Sequence, residues 1–286
     1  MEYNILIGGS AGQGLDTLSD FLERSIKKFG FYVFSNKDYM SRVRGGHNFI
    51  QIRFGENKIY SHKNELDLIL ALDENTISYH KDRLKDDGII ISDKSIKNEY
   101  KKIIKLPLIE TAKGLSLSKA FTSVAAGVIL KYFSIDLENI DKYFSSKLSE
   151  DIRNKNIQAV KLGYDLIESK HKMQGNDLSD HILINGNNAI ALGAIAGGLD
   201  FYSAYPMTPA TSIMTYLAKK QVETGMVVDQ AEDEIAAINF AVGASYAGAR
   251  AMTGSSGGGV SLMVEAFGLA GITETPIVIV DSQRPG

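Results

Sequence analysis

The sequence predicts an α/β protein of two domains, each a mostly parallel sheet flanked by helices. Three observations carry that reading: a chain of 286 residues with 44% hydrophobic side chains, short apolar runs alternating with longer segments of helical period, and a polar stretch near residue 175 that separates two such blocks. Domains usually run to about 100–200 residues, so this length asks for two cores. Apolar runs alternating with amphipathic segments are what parallel strands joined by helices produce.

In the first block, Tyr3–Ile7 is a short apolar run that ends in Gly8-Gly9-Ser10-Ala11-Gly12-Gln13-Gly14, and Leu15, Leu18, Leu22, Ile26 and Phe29 then follow at helical spacing. That is strand, glycine turn, helix. Phe31–Ser35 predicts a second strand, and Asn48–Phe54 alternates apolar with polar as a half-exposed strand does. Leu68–Leu72 is continuously apolar, as in a buried parallel strand. A helix from Glu74 to about Lys85 and a strand over Gly88–Ser92 come next, and Ser116–Ser169 turns helical, with Ala125, Val128, Ile129 and Phe133 on one stripe and Ile157, Val160, Tyr164 and Ile167 on another. These helices close a first domain over residues 1–172. Residues 173–180 are polar and contain Gly175, which marks a linker.

The second domain, 181–286, opens at His181. Ala189–Leu199 is rich in Ala and Gly, as suits a helix packed close to another backbone. Ala204–Pro209 reads as a loop, Ala210–Lys219 as a helix, Met226–Asp229 as a strand and Glu232–Gly248 as a long helix. Arg250–Thr253 predicts a strand, Gly254–Gly259 a glycine loop, Val260–Gly271 a helix and Pro276–Val280 a last strand. No closing helix follows that strand, so the sequence is expected to be truncated relative to the functional polypeptide.

Composition narrows the function. Formal net charge is −3, with 23% charged residues of both signs, which argues against a nucleic-acid binder because phosphate neutralisation needs clustered excess Lys and Arg. The basic stretch around Arg42 and Arg44 is too short to change that. The chain has no cysteine, which excludes disulfides, thiolate zinc sites, a Cys nucleophile and protein-held iron–sulfur clusters within it. No apolar stretch is long enough for a signal peptide or a membrane span, so a cytoplasmic protein is expected by default.

A glycine turn between strand and helix lets backbone amides approach phosphate. Here the glycines fall at 8, 9, 12 and 14 and do not fit G-x-G-x-x-G, so phosphate binding and a plain tight turn both stay open. The segment Ser41–Asn48, containing Arg42, Arg44, Gly45, Gly46 and His47, reads on composition as a basic surface loop. His47 and His62 are read as surface or turn residues in preference to catalytic or ligand-facing ones. Glu232, Asp233 and Glu234 open a helix whose remainder, Ile235 to Ala249, carries no charge. At least one of the three is expected to face the interior, although acidic residues in a first helical turn also serve simply to offset the dipole, by about 0.3–1 kcal/mol each. Periodicity does not choose among them. Pro206 and Pro209 stiffen the loop that presents Thr208. Arg284 lies just past the last strand, at the carboxyl end where open α/β sheets bind ligands, and a guanidinium can grip a carboxylate bidentately.

The glycine turn followed by Arg42-x-Arg44-Gly45-Gly46-His47-Asn48 resembles the gamma domain of 2-oxoacid:ferredoxin oxidoreductases, over roughly residues 1–170. The second block carries Gly193-Ala194, then Tyr205–Thr211, Glu232–Ile235, Thr253–Gly259 and Gln283-Arg284. These five motifs, in family order, resemble the first domain of the alpha subunit, a thiamine diphosphate pyrimidine-binding domain. Gamma followed by alpha in one chain resembles the fused type, often found in the branch that prefers 2-oxoglutarate or takes 2-oxoacids broadly.

The resemblance implies a subunit of an acyl-CoA-forming 2-oxoacid:ferredoxin oxidoreductase, inactive alone. It implies coenzyme A contacts at Gly12, Gln13, Gly14, Arg42 and Arg44, a catalytic carboxyl at Glu234, and substrate contacts at Tyr205, Thr208 and Arg284. The family more often has Ile at Met207 and Pro at Gly258. The diphosphate–magnesium motif of thiamine enzymes, Gly-Asp-Gly followed by Asn, occurs nowhere in the chain. The implied partner is therefore a beta subunit carrying the diphosphate site, Mg2+ and a [4Fe–4S] centre, with ferredoxin as electron acceptor. Two rival readings stand beside this one: a nucleotide-dependent dehydrogenase, motivated by the first glycine turn, and a non-catalytic binding or scaffold module.

Overall fold

A computed structural model describes residues 1–39, 46–117, 120–144 and 148–283. They form two units that divide between Leu183 and Ile184. The first unit is built on a six-stranded sheet of order β2-β3-β1-β4-β5-β6, formed by β1 (Glu2–Ser10), β2 (Tyr32–Asp38), β3 (His47–Gly55), β4 (Leu66–Ala71), β5 (Leu84–Asp93) and β6 (Ile103–Leu106). The β1–β4, β4–β5 and β5–β6 pairs are parallel, while β3 runs antiparallel to both β1 and β2. Strand alternation sorts the core into two layers. Ile5, Ile7, Ile50, Ile52, Leu68 and Leu70 lie under α1 (Leu15–Phe29), and Leu6, Ile69 and Ile90 point to the other face with Ile77 of α2 (Glu74–His80). After α3 (Leu108–Lys113), helices α4 (Ala120–Tyr132) and α5 (Glu150–Tyr164) complete the first layer.

Three sequence expectations change here. The strand expected to be half-exposed is β3, which sits between two neighbours. Its Gln51 is buried, with its amide nitrogen donating to the carbonyl of Lys63 and to Oδ1 of Asn4 of β1 (3.0 Å), and Asn4 in turn donates to the carbonyls of Lys63 (2.9 Å) and Glu65. The helix expected to reach Lys85 ends at His80 and passes through a single 3-10 turn into β5. The stretch expected as a linker is part of the first unit. Asn176 N donates to Gly30 O at 2.8 Å, Lys27 Nζ donates to Leu178 O at 3.0 Å, and Leu178 is buried. Gly30 (φ 108) and Gly175 make this strap possible, since a Cβ on Gly175 would stand 1.6 Å from Phe29 O.

The second unit has a four-stranded sheet of order β10-β9-β7-β8, parallel at every pairing. Its strands are β7 (Phe201–Ala204), β8 (Val227–Gln230), β9 (Ala251–Ser255) and β10 (Val278–Asp281). Helices α6 (Gly186–Ala196) and α7 (Thr211–Thr224) pack together beside the Tyr202 face, and α8 (Glu234–Tyr246), α9 (Gly257–Leu262) and α10 (Val264–Ile272) lie on the Ile279 face. The expected glycine loop is shorter than its sequence suggested, because Gly257 already begins α9. The chain leaves β7 towards β8 and leaves β9 towards β10, so the connections diverge between β7 and β9. In open α/β sheets the carboxyl end of such a divergence is where ligands bind.

Candidate functional site

The residues singled out in the second unit gather at that carboxyl end. At the start of α8 the Asp233 carboxylate accepts from Ala236 N at 2.7 Å and caps the helix. Glu232 and Asp233 are exposed, and Glu234 is 5% exposed. The cap therefore takes one acidic side chain and the first helical position turns the next one inward. Ser255, the last residue of β9, donates its hydroxyl to Glu234 Oε1 at 3.4 Å. A Cβ on Gly259 would lie 2.0 Å from Ser255 Oγ and 2.6 Å from Glu234 Oε1, so only glycine lets α9 approach the pair. Around Gly258 no atom stands within 4 Å of a built Cβ.

Residues 205–209 follow β7, with Tyr205 and Thr208 exposed. Met207 N bonds Tyr205 O at 2.8 Å and Thr211 N bonds Met207 O at 3.0 Å, which folds the loop onto the start of α7. One residue that sequence reasoning missed holds this loop in place. Asn187 Nδ2 donates to Pro209 O (2.9 Å) and Ser212 Oγ (2.8 Å), and its Oδ1 accepts from Ser282 Oγ at 2.9 Å. It ties the loop after β7 to the residues after β10. The only sequence signal was Asn185-x-Asn187-Asn188 ahead of an apolar helix, which reads as a cap; Asn185 does cap α6, accepting from Asn188 N at 2.9 Å. Arg284 lies outside the described residues.

In the first unit the glycine turn also stands at a carboxyl end, between β1 and β4. Gly12 (φ 91) and Gly14 (φ 88) adopt the left-handed conformation that favours glycine, and Gly14 caps α1. Gln13 Oε1 accepts from Ser10 N at 2.7 Å and its Nε2 donates to Leu72 O at 3.3 Å, so this side chain braces the turn against the end of β4. Ser10 Oγ donates to Asp73 Oδ2 at 3.0 Å, and Asp73 in turn caps α2 by accepting from Thr76 N at 2.9 Å. What the turn leaves open is backbone around Gly12, where a Cβ would meet nothing within 4 Å. Arg42 and Arg44 lie outside the described residues.

His62 is exposed, but His47 is not a simple turn residue. Its Nε2 is 2.8 Å from His80 Nε2, and its ring packs on Phe49 and Tyr79. His80 Nδ1 lies 3.2 Å from Arg83, whose Nη2 donates to Gln51 Oε1 at 2.6 Å. Burial holds the His47 imidazole below its ordinary pKa. Burial, with His47 and Arg83 adjacent, pulls His80 down to about 4. Among the described residues, no group of three or more His, Asp or Glu is placed to hold a metal ion, and no helix is long and apolar enough to cross a membrane.

Comparison with known proteins agrees with this division. Residues 4–166 match the family model described as pyruvate ferredoxin/flavodoxin oxidoreductase, and residues 192–286 match that family's thiamine diphosphate-binding model. A 2-oxoacid:ferredoxin oxidoreductase alpha subunit from a Sulfolobus species is 29% identical across the whole chain, which covers 55% of that relative. The 2-oxoglutarate synthase subunit KorA of Archaeoglobus fulgidus is 49% identical over 104 residues, 36% of this chain and 30% of KorA. Among solved structures, the 2-oxoglutarate:ferredoxin oxidoreductase of Magnetococcus marinus, determined with 2-oxoglutarate, coenzyme A and succinyl-CoA bound, superposes with a TM-score of 0.89 at 30% identity. That match covers all of this chain and 53% of the Magnetococcus chain.

Fold and site thus define a protein with two α/β units, the second of thiamine diphosphate-binding type. The chain belongs to the pyruvate ferredoxin/flavodoxin oxidoreductase family, and the curated relatives it matches along its whole length are 2-oxoacid:ferredoxin oxidoreductase alpha subunits. It spans about half the length of the curated relatives it matches.

Proposed function

We propose that the chain serves a CoA-dependent 2-oxoacid:ferredoxin oxidoreductase, with 2-oxoglutarate the favoured substrate, and supplies the pyrimidine side of its thiamine diphosphate site. The observation that carries this is Glu234: a carboxyl buried at the carboxyl end of a parallel sheet, held at one oxygen and packed against Gly259. The arrangement fits a flat heteroaromatic ring. Gly258 has open space at its Cα, and among the described residues Glu234 Oε2 makes no hydrogen bond that would have to be broken for a ligand.

Thiamine diphosphate, when bound, supplies the nucleophilic ring carbon and the electron sink for decarboxylation. Glu234 would hold a proton at Oε2 against the aminopyrimidine ring, in low-dielectric surroundings that strengthen the bond. Thr208, on a loop stiffened by two prolines and anchored by Asn187, would meet the carboxylate or keto group of the 2-oxoacid, beside Tyr205. Arg284 would grip the carboxylate bidentately. On the first unit, the open backbone of Gly12, with Gly14, Arg42 and Arg44, would face coenzyme A, and Gln13 would act by holding the turn. The diphosphate, Mg2+ and the [4Fe–4S] cluster would sit on a partner beta subunit that passes electrons to ferredoxin, and we place the complex in the cytoplasm.

The test is co-expression with the candidate beta subunit, followed by anaerobic, CoA-dependent viologen reduction with a panel of 2-oxoacids. We expect 2-oxoglutarate to be the best substrate and Glu234→Gln to abolish turnover. A stable complex that oxidises no 2-oxoacid, or a Glu234→Gln variant with full activity, would overturn the proposal.

A further inference from the structure

Ser255 stands in an unusual position for a hydroxyl. It is the final residue of β9, fully buried, and paired in register with Asp281 of β10. Its carbonyl accepts from Ser282 N at 2.9 Å, so the backbone is pinned from the edge strand. Its side chain has one neighbour of consequence, Glu234 Oε1 at 3.4 Å, and Gly259 is the surface against which both side chains rest. A carboxylate oxygen only accepts, and a protonated carboxyl carries its hydrogen on one oxygen alone. A serine hydroxyl can donate or accept; donating to Oε1, as it does here, it keeps that oxygen an acceptor, so a proton taken up by the carboxyl goes to Oε2.

We propose that Ser255 is a positioning residue for Glu234, one that divides the two carboxyl oxygens into a fixed acceptor, Oε1, and a proton-carrying oxygen, Oε2, turned towards the ligand. Gly259 is the steric half of the same device. Any side chain there would force Ser255 Oγ and Glu234 Oε1 apart and dissolve the distinction. Without the hydroxyl, Glu234 loses the bond that fixes Oε1, and the carboxyl is free to present a lone pair where a donor is needed. This inference rests on the reading of Glu234 as the pyrimidine-facing carboxyl.

The test uses the full chain in complex with its partner subunit, loaded with thiamine diphosphate. It compares Ser255→Thr with Ser255→Val, a pair of nearly equal shape that differs in the hydroxyl. The readout is the rate at which the thiazolium C2 proton of bound cofactor exchanges with deuterium, followed across pH, alongside cofactor affinity by calorimetry. We expect the Thr variant to exchange within about threefold of the parent and the Val variant about tenfold more slowly with a displaced pH midpoint, a factor of the size of one lost hydrogen bond. Cofactor affinity should agree within about twofold between the pair, since the hydroxyl acts through Glu234 and not on the ligand. Equal exchange rates and midpoints in the two variants would overturn the role of Ser255. Glu234→Gln serves as the reference: if it exchanges at the parental rate, the assignment of Glu234 itself fails, whereas slow exchange in Glu234→Gln with no Thr–Val difference removes only the positioning role.

Discussion

The hydroxyl of Tyr202 is fully buried and, among the described residues, makes no hydrogen bond, while burial raises its pKa. A buried donor without a partner carries its full desolvation penalty, so Tyr202→Phe is expected to raise stability by about 1 kcal/mol, measured by urea unfolding. Asp233 works in the other direction. Removing its cap on α8 with Asp233→Ala should lower stability by about 1 kcal/mol in the same measurement. His80 links stability to pH. Its folded-state pKa lies near 4 rather than the ordinary 6.5, because burial and the adjacent His47 and Arg83 disfavour the cation. Between those values the unfolded chain binds a proton that the folded chain refuses, so stability present above pH 6.5 declines as pH falls towards 4. His80→Gln should flatten that slope in chemical denaturation across this pH range. At this scale the uncharged remainder of the helix implied that at least one of three acidic residues would turn inward; periodicity did not say which, because the choice depends on which neighbour takes the cap, and only the family resemblance pointed to Glu234. Asn187 was invisible for a related reason: its partners, Pro209, Ser212 and Ser282, come together only when β7 and β10 share a sheet end.

Helices α4 and α5 cross with backbones almost in contact. A Cβ on Gly127 would stand 2.0 Å from Val160 O, and one on Gly163 would stand 1.9 Å from Val124 O. Gly127→Ala and Gly163→Ala are each expected to destabilise by about 1–3 kcal/mol through overpacking, although alanine is the better helix former. Gly114→Ala is the control, since a Cβ there meets nothing within 4 Å and the backbone is right-handed, and thermal melts should show no loss. The apolar stripe of α4 was legible from period alone, and so was the buried parallel strand β4. The four-residue strands β6 and β7 were not, because each presents too few alternations to stand out from its surroundings. The depth of β3 was hidden too. Its alternation with polar residues signals solvent on one face, and here the Lys63 carbonyl and the Asn4 amide take the place of solvent for Gln51.

The two-core organisation was readable from length and from the polar break near residue 175, but composition misplaced the ownership of residues 173–180. Polar content says nothing about whether a segment's amides find partners, and Asn176 and Leu178 find theirs on the first unit. A fragment of residues 1–183 is therefore expected to melt higher than one of residues 1–172, and equal melting temperatures would deny the strap a structural part. The sheets themselves differ in a way that reaches beyond the folded state. In the first unit β2 and β3 pair antiparallel across a short connection, so a local hairpin can form before distant strands arrive. Among the described residues the second unit has no such pair: every ladder is parallel, and each pairing waits for an intervening helix. Non-local pairing is slow and leaves strand edges bare in the meantime. The second unit is thus expected to be the slower of the two to refold after dilution from denaturant, its strand edges bare for longer than those of the first.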